Sequence, residues 1–162
     1  MNDSDLVTAS DMSVHASRYA PYYLSQINNR LSWGASQLYL HLFGIGLNEW
    51  RVLSALRNEP GIQALRVGEM VAMNKSVVSR STRRLEDLGY VAARLDRSRR
   101  RLWLTGAGAA LHDRIMVIAL RREAALLDGF KAAELDTLYS MLDRMRANLA
   151  MVDAVDRSLT PG

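Results

Sequence analysis

Arginine is concentrated in this sequence where it can do chemistry. Between positions 66 and 101 stand ten Lys/Arg against four acids, Glu69, Glu86, Asp87 and Asp96, a local balance of +6 in a chain whose net charge is +4. The remaining residues hold 11 basic and 13 acidic side chains, so the positive excess belongs to one 36-residue segment. Such a segment is the footprint of a phosphate-binding surface, although charge alone equally fits a solvated basic face. Arg97, Arg99, Arg100 and Arg101 crowd together, and their mutual repulsion is unfavourable unless an anion neutralises it. A narrow minor groove is one physical home for such arginines. Arg101 either joins this cluster or points back to a carboxylate such as Asp96. Upstream, Ser76, Ser79, Arg80 and Arg83 share one side of a helix that starts at Lys75, while Val77, Val78, Ser81, Leu85 and Leu88 can face inward. Short hydroxyls suit base edges, guanidinium forks suit phosphates, and the helix N-terminal amides near Lys75 and Ser76 suit a phosphate. The candidate DNA-binding residues are therefore Lys75, Ser76, Ser79, Arg80, Arg83, Arg97, Arg99 and Arg100.

Other chemistries find little to work with. The absence of cysteine removes disulfides, thiolate nucleophiles, cysteine zinc sites and thiol redox sensors. His15, His41 and His112 lack metal-ligand spacing, and there is no glycine-rich phosphate loop or carboxylate pair in a cleft-forming context. No catalytic residue, metal site or cofactor is assigned, and an enzyme is not expected. The longest aliphatic run, 115–120, is too short to cross a bilayer, and the acidic, polar N-terminus is unlike a signal peptide. The expected location is the cytoplasm, on the nucleoid.

The elements that carry these residues are legible as periods and stops. Leu24, Ile27, Leu31, Ala35, Leu38 and Leu42 recur in steps of three and four, predicting a helix over about 17–43 that ends at Gly44 and Gly46. A second helix begins near Leu47, runs through Trp50, Val52, Leu53 and Leu56, and stops at Asn58-Glu59-Pro60-Gly61. A short helix over 64–72, a break at Met73-Asn74, and a helix over 75–88 capped by Asn74 and closed by Gly89 predict a helix-turn-helix. Residues 90–95 and 101–105 flank the polar turn 96–100 as a β-hairpin, and two long helices follow, about 106–128 and 132–156. The fold class is thus mainly α with a small β-hairpin wing: a winged helix-turn-helix flanked by long N- and C-terminal dimerisation helices. Residues 1–16 read as a mobile arm. A single domain over 17–162 holds a DNA-binding lobe at about 47–105 and dimerisation helices at about 17–43 and 106–156.

Four motifs then converge: Val67-Gly68-Glu69-Met70-Val71-Ala72, Lys75-Ser76-Val77-Val78-Ser79-Arg80, Arg84-Leu85-Glu86-Asp87-Leu88-Gly89-Tyr90-Val91, and Leu104-Thr105-Gly106-Ala107-Gly108. With Leu47-Asn48-Glu49-Trp50-Arg51-Val52-Leu53 ahead of them, their order and spacing resemble the MarR family of bacterial transcription regulators over about residues 17–156. The resemblance implies a symmetric dimer held by its terminal helices, recognition helices in successive major grooves and wings in the flanking minor grooves. It also implies, in many members, a small phenolic or aromatic-acid effector. One departure stands out: family wings carry Asp, any residue, then Arg, whereas this chain has Asp96-Arg97-Ser98, leaving Arg97 or Arg99 to take the role.

Leu135, Leu138, Leu142, Met145, Leu149 and Val152 form a heptad-like seam along the last helix, which predicts a homodimer. Opposite the apolar stripe of the first helix lie Arg18, Tyr22, Ser25, Asn29, Ser32, Trp33 and Ser36, a weakly polar face suited to a dimer contact or to a ligand cleft. Arg18 offers a bidentate pair to a carboxylate, Asn29 and Ser32 offer neutral hydrogen bonds, and Trp33 or Trp50 offers ring surface. The expected function is a sequence-specific regulator of an inverted-repeat operator in double-stranded DNA. It is read as a repressor released by a small aromatic carboxylate or phenolic effector bound at Arg18, Asn29, Ser32, Trp33 and Trp50. The alternative is an architectural or effector-independent DNA-binding protein.

Overall fold

The structure, a computed structural model, describes residues 18–160, so the arm expected at 1–16 lies outside it. Helix α1 (Ala20–Phe43) starts three residues later than its apolar period predicts. Tyr19 is extended at the N-cap and Pro21 occupies the first turn, where its fixed φ and missing N–H are tolerated. Gly44 ends α1 in the left-handed region at φ 70°, donating its N–H to Leu40 O. Helix α2 (Leu47–Asn58) opens with the Gly46 N–H donating to Glu49 Oε2 at 3.0 Å. It ends before Pro60, which disfavours helical geometry at the preceding residue. Helices α3 (Ala64–Val71) and α4 (Lys75–Asp87) follow, joined by Ala72 in the left-handed region. Asn74 caps α4 by accepting the Val77 N–H at 3.0 Å.

Strands β1 (Val91–Asp96) and β2 (Arg99–Leu104) pair antiparallel, from Val91 opposite Leu104 to Asp96 opposite Arg99. The turn is therefore two residues, Arg97 and Ser98, at φ 46° and 69°, rather than the predicted 96–100. Arg99 and Arg100 belong to the strand. Two consecutive positive φ values match the right-handed twist of a tight hairpin. Ile62 bridges to Leu102, which extends the pairing to the loop before α3. Thr105 then starts α5 (Gly106–Leu126), accepting the Gly108 N–H at 3.0 Å and donating to Gly89 O at 2.7 Å.

The chain divides after Val117 into two compact units. The core of the first is built from Tyr39, Ile45, Leu53, Leu56, Val67, Val78, Leu85, Leu102 and Ile115, all nearly or fully inaccessible. Each such aliphatic side chain contributes about 1.5–3 kcal/mol on burial. Trp50 belongs to this core: its ring stacks on His112 at 4.9 Å and meets Tyr39 edge-on at 6.0 Å. His112 Nδ1 lies 2.9 Å from Asp113 Oδ1, and that hydrogen bond, with the Arg57 charge nearby, holds the Asp113 carboxyl below the usual carboxylate range.

In the second unit the single helix predicted over 132–156 is instead two, α6 (Ala132–Ala147) and α7 (Leu149–Leu159). At Asn148 the N–H is shared between Arg144 O and Met145 O, both at 3.1 Å, and this tightened turn separates the two helices. Leu135 and Leu138 of the seam are half-buried, while Leu142, Met145, Leu149 and Val152 are exposed. Among the described residues no helix is long and apolar enough to cross a membrane.

Candidate nucleic-acid interface

Helix α4 presents two unlike faces. Val78, Ser81, Thr82 and Leu85 are buried, and Lys75, Ser76, Ser79, Arg80 and Arg83 are exposed. Two inward assignments change: Leu88 is 48% exposed and Val77 only half-buried, whereas Thr82 is buried four residues after Val78. Leu88 caps the helix and lies beyond its packed turn. Ser76 is partly committed, since its hydroxyl donates to Asn74 Oδ1 at 2.8 Å. Its oxygen is left as an acceptor, which suits the exocyclic amines of cytosine and adenine.

Helix α4 is tied to the first turn of α2 and to the turn that precedes it. Ser81 donates to Glu49 Oε1 at 2.9 Å, and Arg84 donates to Gly44 O at 2.9 Å. Arg100 reaches from β2 to both carboxylate oxygens of Glu86, which fastens the wing to α4. Arg101 turns back, its Nε 2.7 Å from Asp96 Oδ2 and its Nη1 donating to Gly61 O at 2.9 Å. Arg66 pairs with Glu59 at 2.8 Å and with Glu69 at 3.5 Å; its hydrogen bonds hold the Glu59 carboxyl below the usual range. Four of the ten basic residues in the positive segment thus serve the fold, a division that charge counting could not reveal. Lys75, Arg80, Arg83, Arg97 and Arg99 are exposed and make no ion pair among the described residues. Lys75, Arg80 and Arg83 lie along α4, Arg97 sits at the hairpin tip and Arg99 follows on β2.

The five residues expected around an effector do not converge. Arg18 precedes α1 instead of standing on it, and Trp50 is core. Asn29 is exposed and donates to Ser25 Oγ at 3.4 Å. Ser32 and Trp33 do line a common cavity of about 490 Å³ between α1 and the start of α2, together with Ser36, Gly46, Glu49 and Arg51. Glu49 and Arg51 were missed because the Leu47–Leu53 run was read for its apolar face. Among the described residues no group of His, Cys, Asp and Glu could hold a metal ion.

Residues 43–102 match the model of the MarR family. The chain is similar to a MarR/EmrR family transcriptional regulator from Acinetobacter sp. ADP1, at 28% identity and TM-score 0.80 over 85% of this chain and 99% of that one. It shares the fold of Staphylococcus aureus MepR in complex with DNA, at 20% identity and TM-score 0.73 over 83% and 99% of the two chains. The fold recurs in Bordetella bronchiseptica BpsR, whose DNA binding is regulated by 6-hydroxynicotinic acid, at 22% identity and TM-score 0.71 over 83% and 98%. No curated protein sequence matches the chain. Its helix-turn-helix and arginine-tipped hairpin, matched by the family model, make the chain similar to MarR-family transcriptional regulators.

Proposed function

We propose that the chain is a homodimeric repressor that recognises an inverted-repeat operator in double-stranded DNA and lets it go when a small aromatic carboxylate or phenol binds. The observation that carries the DNA-binding part is the division of α4: free Lys75, Ser79, Arg80 and Arg83 outside, packed Val78, Ser81 and Leu85 inside. A helix held so firmly by its back presents its front as a rigid reading edge, with Ser76 and Ser79 for bases and the long cations for phosphates. Arg97 at the tip, with Arg99 behind it, suits a narrowed minor groove.

Dimerisation is supported in each unit separately. The first half of α1 exposes Tyr22, Tyr23, Leu24 and Ile27, and α6 and α7 expose Leu142, Met145, Leu149 and Val152. Contiguous exposed apolar surface of this kind marks an interaction site. The effector part is supported by the cavity at Ser32, Trp33 and Arg51 and by the ligand that regulates BpsR. Selection of binding sites from random duplex DNA tests the reading. The expected product is an inverted repeat with half-sites about one helical turn, roughly 10 base pairs, apart. Binding that ignores sequence would replace a regulator with an architectural protein.

A further inference from the structure

The hairpin reaches well beyond the point where main-chain bonds hold it to the rest of its unit. Those bonds stop at Leu102, whose N–H donates to Ile62 O at 3.0 Å and whose carbonyl accepts the Gly61 N–H at 2.9 Å. From Leu102 the strand runs on for four residues to Ser98, about 14 Å at about 3.4 Å per residue. Two side chains tie this overhang to other elements, and they leave from opposite faces of β2. Arg101 donates to Gly61 O at 2.9 Å, and Arg100 reaches both carboxylate oxygens of Glu86 in the last turn of α4. Ser79, Thr82 and Glu86 stand three and four residues apart and share one side of α4, and Arg100 lines a cavity of about 580 Å³ with Ser79 and Thr82. We infer that Glu86 is a positioning residue for DNA reading. Through Arg100 it fixes the elevation of the wing over α4, and with it the number of base pairs between the bases met by Ser76 and Ser79 and the flank met by Arg97 and Arg99. The inference rests on the DNA reading proposed above and adds what sets its spacing.

A two-stranded ribbon is marginal by itself, so an overhang of this length swings about its base unless something further out restrains it. A swing of about 14° moves a tip that stands about 14 Å from its pivot by about 3.4 Å, one base-pair step along the duplex. Arg101 restrains the ribbon from the loop before α3, and Arg100 restrains it from α4. Only the second tie refers the tip to the helix that reads bases. The Glu86 side chain is 23% exposed and that of Arg100 53%. Ion pairs so placed add little to global stability, so the loss of this one shows in the position of the tip and hardly in the unfolding midpoint. Arg100 is also withheld from phosphate while Glu86 holds it. Removing Glu86 returns one cation per subunit to DNA, and removing Arg100 returns none.

The test is fluorescence anisotropy on the full chain with operator duplexes in which the A·T-rich flank of each half-site is moved one base pair toward or away from it, repeated at several salt concentrations. The unaltered protein should lose about tenfold or more in affinity for a one-step shift. Glu86→Ala and Arg100→Ala should each keep the unshifted operator within about threefold and lower the cost of the shift to about threefold or less. Their salt slopes separate them. In Glu86→Ala the slope steepens from about −9 to about −11 as Arg100 reaches phosphate, and in Arg100→Ala it stays at about −9. The exchange Glu86→Arg with Arg100→Glu rebuilds the pair in reverse and should restore a cost of about tenfold. A Glu86→Ala protein that keeps the full cost of the shift overturns the inference. So does an exchanged protein that folds normally and does not recover it. An Arg100→Ala slope of about −7 overturns it too, because Arg100 would then sit on phosphate in the unaltered complex. If the unaltered protein is indifferent to where the flank lies, the wing reading itself falls, and this inference with it.

Discussion

Asn74 serves α4 with a single oxygen, which accepts the Val77 N–H at 3.0 Å and the Ser76 hydroxyl at 2.8 Å. Replacing it by alanine frees both donors, and Asn74→Ala is expected to cost about 1 kcal/mol in urea unfolding, as loss of an N-cap does. Thr82 makes the opposite case: it is 1% exposed and its Oγ1 has no hydrogen-bond partner among the described residues. Thr82→Val keeps the shape and removes the orphan hydroxyl, so the urea midpoint should rise at unchanged slope, by about 1 kcal/mol of stability. A fall would show that the hydroxyl is satisfied. At this scale the sequence was readable wherever the partner is close along the chain. The Asn74 cap and the pairing of Arg101 with Asp96 are of that kind. Trp50 was not readable, because its partners Tyr39 and His112 come from other helices, and an indole on an apolar helix face looks the same whether it meets a ligand or a histidine.

Elements were legible through their period and their stops, which is why α2, α3 and α4 lie where Pro60, Asn74 and Gly89 put them. The hairpin tip was misjudged because Arg97-Ser98 lacks the Asn-Gly or Asp-Gly signal of a two-residue turn, and five polar residues read more naturally as a loop. The break at Asn148 left no glycine or proline to announce it. The motif 104–108 acquires a physical reason in the structure. Thr105 caps α5 and ties it to Gly89, and Gly108 lies against the Tyr90 carbonyl so closely that a Cβ there would collide with backbone. Gly108→Ala should therefore destabilise the protein by about 1–3 kcal/mol, seen as a lower urea midpoint, while Gly106→Ala, where a Cβ meets nothing, should be nearly silent. For the wing, Arg97→Ala is expected to weaken operator binding most where the flanks are A·T-rich. Equal losses on A·T-rich and G·C-rich flanks would mean plain phosphate attraction.

For the whole molecule the number of free cations sets the response to salt. Lys75, Arg80, Arg83, Arg97 and Arg99 supply five per subunit. If a dimer engages all ten, log of the operator association constant should fall against log salt with a slope of about −9, and Arg97→Ala should bring it to about −7. A slope of about −14 would mean that Arg66, Arg100 and Arg101 leave their carboxylates on DNA, since these three per subunit would then have to be counted too. Dimerisation is tested by Leu142→Glu with Leu149→Glu, two exposed positions that a lone subunit should tolerate. Sedimentation should show a monomer that still folds, and a variant that stays dimeric would move the interface elsewhere. The two-residue tip carries a last consequence, for how such a wing changes over evolutionary time. With no slack between β1 and β2, a single inserted residue would slip the register and turn every following side chain to the other face. Only insertions in pairs, one residue to each strand, keep Arg99 and Arg101 on their present sides, and each pair lengthens the arm by about 3.4 Å. The wing is a ruler with fixed graduations, so lineages that read a wider or narrower stretch of flanking DNA should differ in wing length by even numbers of residues.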